Sequence, residues 1–438
     1  MNSKFELKIF LLKGGVNLSL EWNFHKLEEL INLRTGKLDS NAEEENGVYP
    51  FFTCAPDPLK INSFSFNQKA ILLAGNNANG NFHINYYEGK FDAYQRTYVI
   101  DVLDNEKINL KYLYYALKIC LNDFKRMSQG TSTRFLTKKI LDNFEIQVPP
   151  IETQLKIVDV LDSITNKINI NQRINKNLTE ISTRQFSHLM NNNIEEYLEL
   201  KDICKFIKGR KPKEISEQYK SNFSNYLTIE VLSNQNHAYA YDEKGIIANE
   251  YDILMVMDGA SSGKLFYGKQ GLVGSTLAKI DVDKEYLEII YQFLKFNEKY
   301  ISDNTTGSAI PHTDKGLVLN LKCPISKKLL DYSEFFKTIR SSIILNNNEI
   351  IKLQKLRDTL LPKLMSGEID VTKINCDLNI IIIKFIFNPL KYLWRHLNEN
   401  KDYIQNTKSN ETLFESRTIY KIDKFFIKFT SRYRDYRQ

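Results

Sequence analysis

The chain repeats itself. Set against itself with a shift of 175, residues 154–181 align with 329–356 without a gap: Leu155 meets Leu330, Ile164 meets Ile339, Ile168 meets Ile343, Asn171 meets Asn346, Leu178 meets Leu353 and Ile181 meets Leu356. Pro149 likewise meets Pro324, just ahead of each segment. A shift of 173 aligns FHKLEELINLRTGK (24–37) with YLELKDICKFIKGR (197–210), each an aromatic, then apolar residues at every third position, then Gly and a basic residue. A looser third match sets AILLAGNNANGNF (70–82) against DILMVMDGASSGKLF (252–266). A duplicated sequence folds as copies of one unit, so the expectation is two similar mixed α/β globules, each followed by a long helix.

The long segments read as helices with a seam. Ile157, Leu161, Ile164, Ile168, Asn171, Asn175, Leu178 and Ile181 recur at spacings of 3 and 4, as do Phe336, Ile339, Ile343, Asn346, Ile350, Leu353, Leu356, Leu360 and Leu364. That is the coiled-coil pattern. Each stripe needs an apolar partner, and the other copy supplies one. Asn171 and Asn346 fall at corresponding seam positions, where a buried amide lowers stability but fixes register. Pro149-Pro150 marks the globule-to-helix junction, with Glu152 placing negative charge in the first turn. Asn191-Asn192-Asn193 is expected to end the first helix, and Pro362 with Gly367 the second. Each would span roughly 35 residues, or about 50 Å.

Composition narrows the classes. Five scattered cysteines with no Cys-x-x-Cys indicate neither a disulfide framework nor a zinc site. Residues 373–438 carry 13 Lys and Arg against 7 Asp and Glu, so of the net +7 only +1 lies in the first 372 residues. Any basic nucleic-acid patch there must be local. The N-terminal MNSKFELKIFLLKGG has a short apolar core and no small-residue cleavage site, against a secretion signal. The stretch NIIIIKFIFNPLKYLW (379–394) is interrupted by Lys384, Asn388, Pro389 and Lys391 and reads as buried or interfacial.

The stretch VMDGASSGKLFYGKQG (256–271) looks at first like a nucleotide-binding loop, but only three residues separate Gly259 from Gly263, and Leu265 follows Lys264 where a hydroxyl is required. DILMVM and LFY instead read as two strands joined by a hairpin tip. Asp258, Ser261, Ser262 and Lys264 are candidates to contact bases and phosphates, and Asn76, Asn77, Asn79 and Asn81 occupy the matching loop of the first copy. Asn suits bidentate readout of adenine, and the two copies differ most in side-chain chemistry at these tips. Arg34 and Lys37, with Lys208, Arg210, Lys211 and Lys213, flank the repeated Gly-turn and are candidates to hold phosphates. GTSTR (130–134) and TTGSA (305–309) are hydroxyl-rich turns whose Gly130 and Gly307 read as shaping the junction with each helix. Catalytic motifs are missing from the sequence: no dinucleotide or S-adenosylmethionine glycine motif, no Asn-Pro-Pro-aromatic, no His-Glu-x-x-His and no nucleophile elbow. An Asp-x-Lys triplet at 242–244 is ordinary for so Lys-rich a chain.

GTSTRFLTKKILDNFEIQVPPIETQLKIVDVLD, with LRDTLLPKLMSGEIDV closing the second helix, resembles the DNA specificity subunit of type I restriction-modification enzymes over about residues 22–372. The resemblance implies two target-recognition domains, 22–150 and 194–325, each reading one half of a split double-stranded DNA sequence. It implies long helices at 151–193 and 326–372 forming an antiparallel coiled coil that sets the spacer. Residues 1–21 and 373–438 would be extensions, the latter running 66 residues past the point where members of that family close. The implied partners are DNA, two methyltransferase subunits and restriction or translocase subunits, with no membrane. The chain itself would be non-catalytic and cytoplasmic, its partners carrying S-adenosylmethionine, ATP and Mg, and no metal is expected here. Two other readings are the recognition part of a self-contained DNA methyltransferase or nuclease, and a coiled-coil scaffold without nucleic acid. The first lacks a cofactor motif in this chain, and the second leaves the duplicated globules unexplained.

Overall fold

In a computed structural model the described residues are 22–190, 196–233 and 236–371. The expected helix terminator at 191–193 and the basic tail with its apolar stretch lie outside them. The described residues fall into two compact units, residues 22–173 with 347–371, and residues 174–346.

The first unit is organised by the strand Phe66–Ala74. Its apolar run AILLA sends Ile71 and Leu73 into one core, with Tyr112 and Leu113, and Ala70 and Leu72 into another, with Phe52, Phe91 and Val99. Because side chains alternate across a strand, an unbroken apolar run marks a sheet covered on both faces. The sheet runs in the spatial order Ile31–Thr35, Thr97–Val102, Phe66–Ala74, Ile84–Ala93, Tyr49–Phe52, Leu59–Ile61. Pairing is antiparallel except between Ile84–Ala93 and Tyr49–Phe52. Helix Leu110–Ile119 begins where the Asn109 side chain accepts from the backbone N–H groups of Lys111 and Tyr112.

The second unit repeats this plan. Ile253 and Met255 enter one core and Leu254 and Val256 another. The order Cys204–Lys208, Leu277–Val282, Ile253–Val256, Leu265–Phe266 reproduces the first four strands of the other sheet, and helix Leu287–Phe296 corresponds to Leu110–Ile119. A five-stranded sheet from Glu214–Ser216 to Ile247–Ala248 has its own order.

The long helices are Ile151–Met190 and Ser333–Met365. At 40 and 33 residues they measure about 60 and 50 Å, the first longer than the sequence suggested. In the first unit Ile157, Leu161, Ile164 and Ile168 are buried in one core with Ile350 and Leu364, and Leu353 packs against it. There Asn171 is 1% exposed, and its Nδ2 donates to Glu349 Oε2 at 2.7 Å, with Lys167 Nζ 3.5 Å from the same oxygen. In the second unit Leu178 packs with Ile339 and Ile343, and Asn346 Nδ2 donates to Asn175 Oδ1 at 2.8 Å. Asn175 meets Asn346 while Phe186 meets Phe336, centroids 6.1 Å apart, so within this unit the two segments run antiparallel. Both seam amides are therefore buried and satisfied, as register-fixing residues must be.

Three expectations need correction. Pro362 does not end the second helix but lies inside it, and Gly367, at φ 72, follows its end at Met365. Proline costs the N–H that would bond to Asp358, whose residue is exposed and hydrated, while buried Leu361, Leu364 and Met365 hold the last turn in place. The helix expected from 326 is two helices: Lys327–Asp331, capped by Ser326 Oγ accepting from Leu329 N, and the long one from Ser333. The break at Tyr332 lets Leu329 and Phe336 enter the same core. Leu356, a proposed seam residue, is exposed, and Leu361 is buried instead, because there the helix faces the globular core of its unit.

Each unit also grips its helix with one ion pair. In the first, Lys111 pairs with Asp162, whose other oxygen accepts from Tyr115 Oη at 2.9 Å. In the second, Arg340 is buried against Glu288, donates to the Tyr251 carbonyl at 2.8 Å, and is ringed by Tyr251, Tyr267 and Tyr291. Burial pushes the Glu288 carboxyl up against the pull of Arg340. Lys111 and Glu288 occupy the same position of equivalent helices, so the polarity is reversed between copies. Removing one partner of a buried pair strands the other. Arg340→Leu should cost about 3–5 kcal/mol, read as a lower denaturant midpoint for the second unit, and adding Glu288→Leu should recover most of it. A deficit unchanged by the second substitution would show that packing, not the stranded charge, carries the effect.

Candidate nucleic-acid interface

The hairpin expected at 252–266 forms: Ile253–Val256 pairs antiparallel with Leu265–Phe266, Leu254 facing Phe266. In the first unit Phe66–Ala74 and Ile84–Ala93 make the corresponding hairpin around residues 75–83.

Each tip is closed by a second loop far along the chain. Asn76 and Asn77 pair with Phe135 and Arg134, and Leu136 N donates to Gly75 O at 2.8 Å. In the second unit Asp258 bridges His312, Gly259 N donates to Pro311 O at 2.9 Å, and Thr313 N donates to Met257 O at 2.8 Å. The second loops match each other as well. Gln129 and Phe135 exchange backbone hydrogen bonds of 3.1 and 2.7 Å, and Thr306 and His312 exchange bonds of 2.8 and 2.7 Å. Gly130, at φ 109, and Gly307, at φ 90, turn these loops, and a Cβ on either would lie 2.1 or 2.4 Å from a carbonyl oxygen. Both glycines therefore shape a loop that docks on the tip rather than the junction with a helix.

A family profile described as "Type I restriction modification DNA specificity domain" matches residues 19–180 and again 195–355. The chain belongs to that family. It is 38% identical over 151 residues to the type I restriction enzyme EcoDI specificity subunit of Escherichia coli, and 32% over 175 residues to the MjaVIII specificity subunit of Methanocaldococcus jannaschii. Those stretches are 34% and 37% of this chain and span only 33% and 41% of the two relatives' lengths. A crystal structure of the type I restriction-modification S subunit from M. genitalium shares the fold, with TM-score 0.56 and 19% identity over 80% of this chain and 97% of that one.

The candidate residues of this specificity-family chain fall into three environments. Asn79, Ser261 and Lys264 are at the tips, Lys264 lying 5.2 Å from the Phe266 ring. A second group is tied into the tips. Asn76 Oδ1 accepts from the Cys54 thiol at 2.8 Å, Asn77 Oδ1 accepts from the backbone of Asn79 and Asn81, and Asn81 Oδ1 accepts from Lys125 Nζ at 2.7 Å. Ser262 is 4% exposed, and its Oγ lies 2.7 Å from Gly259 O and 2.9 Å from Pro311 O, so its hydroxyl knits the two loops together and does not face outward. Asp258 is occupied too, Oδ1 at 2.8 Å from His312 Nδ1 and Oδ2 at 3.0 Å from Lys208 Nζ. Partial burial acts to raise this carboxyl, but the bonds from His312 and Lys208 outweigh it and hold it below the usual range.

Four of the six flanking basic residues are also partnered. Arg34 sits 2.7 Å from Asp101, Arg210 3.0 Å from Asp242, Lys208 on Asp258, and Lys213 3.9 Å from Glu243. Lys37 and Lys211 are exposed and make no ion pair among the described residues. Only the Lys213–Glu243 pair is exposed on both sides, and such a pair is worth at most about 1 kcal/mol, so a phosphate can replace that acid with little loss, whereas the Asp242 carboxylate is 6% exposed and needs Arg210. Sequence reasoning missed Arg134 and His312, brought to the tips by the second loop, Arg96, stacked 5.5 Å from Phe135 of that loop, and Lys125, on the helix that precedes it. The signal was there in the repeated hydroxyl-rich turns, but a turn alone does not say what it pairs with. Among the described residues no His, Cys, Asp and Glu cluster fits a metal, and no helix is long and apolar enough to cross a membrane.

Ser262 gives a direct check on this division. Ser262→Ala should destabilise the second unit by about 1 kcal/mol, the net worth of one hydrogen bond, since the Gly259 and Pro311 carbonyls keep the backbone donors Ser262 N and Gly259 N, and should lower its thermal midpoint. Any change in sequence preference should be a general weakening, whereas relaxation confined to one base position at unchanged stability would return Ser262 to the base-reading set.

Proposed function

We propose that this chain is the sequence-reading subunit of a type I restriction-modification complex, each unit reading one half of a bipartite double-stranded DNA site. The observation that carries this is the duplicated two-loop platform: the backbone pairing is the same in both units, while Asn76 with Phe135 in one is replaced by Asp258 with His312 in the other. A common frame with different side chains is what two readers of different sequences require. In this reading the paired helices set the spacer, and the duplication offers similar surfaces to two methyltransferase subunits, with restriction or translocase subunits joining that core. The chain contributes no chemistry of its own and works in the cytoplasm, and S-adenosylmethionine, ATP and Mg belong to the partners.

Residues 1–372 carry a net charge of only +1, so counterion release gives the chain alone little nonspecific attraction to DNA. Mobility-shift titration should show weak binding by the isolated chain and at least tenfold tighter, sequence-selective binding with the methyltransferase partner. Tight selective binding by the chain alone would contradict this account, and methylation of DNA by the chain with S-adenosylmethionine would make it an enzyme.

The helices give an independent test. Four residues inserted between Ile168 and Asn171 add one turn and about 6 Å to the first helix. In the reconstituted methyltransferase complex the spacer of the methylated motif should change while both half-sites stay the same. An altered half-site with an unchanged spacer would sink the helix-spacer idea.

A further inference from the structure

His312 was not marked by the sequence, yet it occupies the cross-strand position opposite the tip of the second unit. Its backbone is locked on both sides by the paired bonds to Thr306, so its side chain is presented from a fixed frame. The imidazole is half exposed, at 49%, while its Nδ1 faces the Asp258 carboxylate at 2.8 Å. Asp258 is held in turn by Lys208 at 3.0 Å on its other oxygen. Among the described residues Asp258 is the charged group paired with this ring, and Lys208 reaches it only through Asp258. A carboxylate on Nδ1 fixes both the ring orientation and the proton on that nitrogen, and it leaves Nε2 as the free polar atom of the ring. Gly307 packs beneath: a Cβ there would come within 3.0 Å of the His312 Cδ2 atom, so a side chain at 307 would crowd the ring.

We infer that His312 contacts a base edge through Nε2 and that Asp258 is a positioning residue acting through it, not itself a reader. This rests on the reading of the two-loop platform as a DNA-reading surface. With Oδ1 bonded to the His312 ring and Oδ2 paired with Lys208, Asp258 has little left to offer a base donor. In the tautomer whose Nδ1–H donates to Asp258, Nε2 is an acceptor, suited to the exocyclic amino group of adenine or cytosine in the major groove. The matching position of the first unit is Phe135, with no polar atom on its ring and Arg96 stacked on it. The two platforms therefore place different chemistry at one equivalent point, which is where their half-sites should differ.

The test uses the full chain with its methyltransferase partner and profiles methylation across a random-sequence DNA library. His312→Ala should relax one base position of the half-site read by the second unit by about tenfold or more, leaving the other half-site unchanged. His312→Phe, which keeps a ring but removes Nε2, should relax the same position. Asp258→Ala should relax that position too, and Asp258→Asn, whose amide oxygen still accepts from Nδ1–H, should retain most of the preference. An unchanged profile in both His312 variants would overturn the inference, as would relaxation by Asp258→Ala at a position that His312→Ala leaves intact. Uniform loss across all sequences in both His312 variants would also overturn it, marking the ring as a phosphate contact or a structural prop. A wild-type complex that methylates with no sequence preference would instead overturn the specificity reading itself, so the two failures are distinguishable.

Discussion

The structure depends on apolar stripes that pair the long helices within each unit, and on the few polar groups that interrupt them. An apolar seam alone is tolerant of slippage, because one isoleucine packs much like another a turn away. The amides remove that tolerance. Asn171 and Lys167 both reach Glu349 in one unit, and Asn346 finds Asn175 in the other, so the two seams carry different polar locks. Lys167 is almost fully buried, and desolvation pulls its ammonium below the usual range despite Glu349. Such a group is tolerated only where its partner is in register. Separate ion pairs, Asp162 with Lys111 and Arg340 with Glu288, then hold each globule on a helix.

On that scaffold the two copies have diverged where divergence is cheap. The order of four strands, the double-sided apolar strand, the helix packed on it and the loop-to-loop backbone pairing are kept, since changing any of them would expose core or strand buried hydrogen-bonding groups. Side chains at the tips bear no such burden. Asn76 beside a thiol and Asp258 between a lysine and a histidine occupy one backbone position with unlike hydrogen-bonding chemistry. Family membership and fold come from the conserved frame, and function comes from what is grafted on it.

The sequence made the frame legible because the frame is periodic. DILMVM announced a strand, the 3-and-4 spacing announced the seams, and Gly259 and Gly263 announced the hairpin tip. What stayed hidden was non-local. Phe135 and His312 lie more than fifty residues from the tips they close, and no local pattern encodes a pairing at that distance. Ser262 has the same residue type as a base donor and differs only in that its hydroxyl is turned onto Pro311. Pro362 misled because local propensity was overruled by the burial of Leu361 and Leu364 on either side of it. Leu356 fitted the seam spacing, but the partner surface there is a globular core whose face lies one position round the helix.

The proposal that this chain directs where a methyltransferase complex modifies DNA is tested most directly by mapping methylated bases across the host genome with the chain present and with its gene deleted. The account predicts a single bipartite motif, two short defined halves around a spacer of fixed length, that disappears on deletion and returns when the chain is restored. A contiguous motif, or a bipartite one that survives deletion, would contradict it.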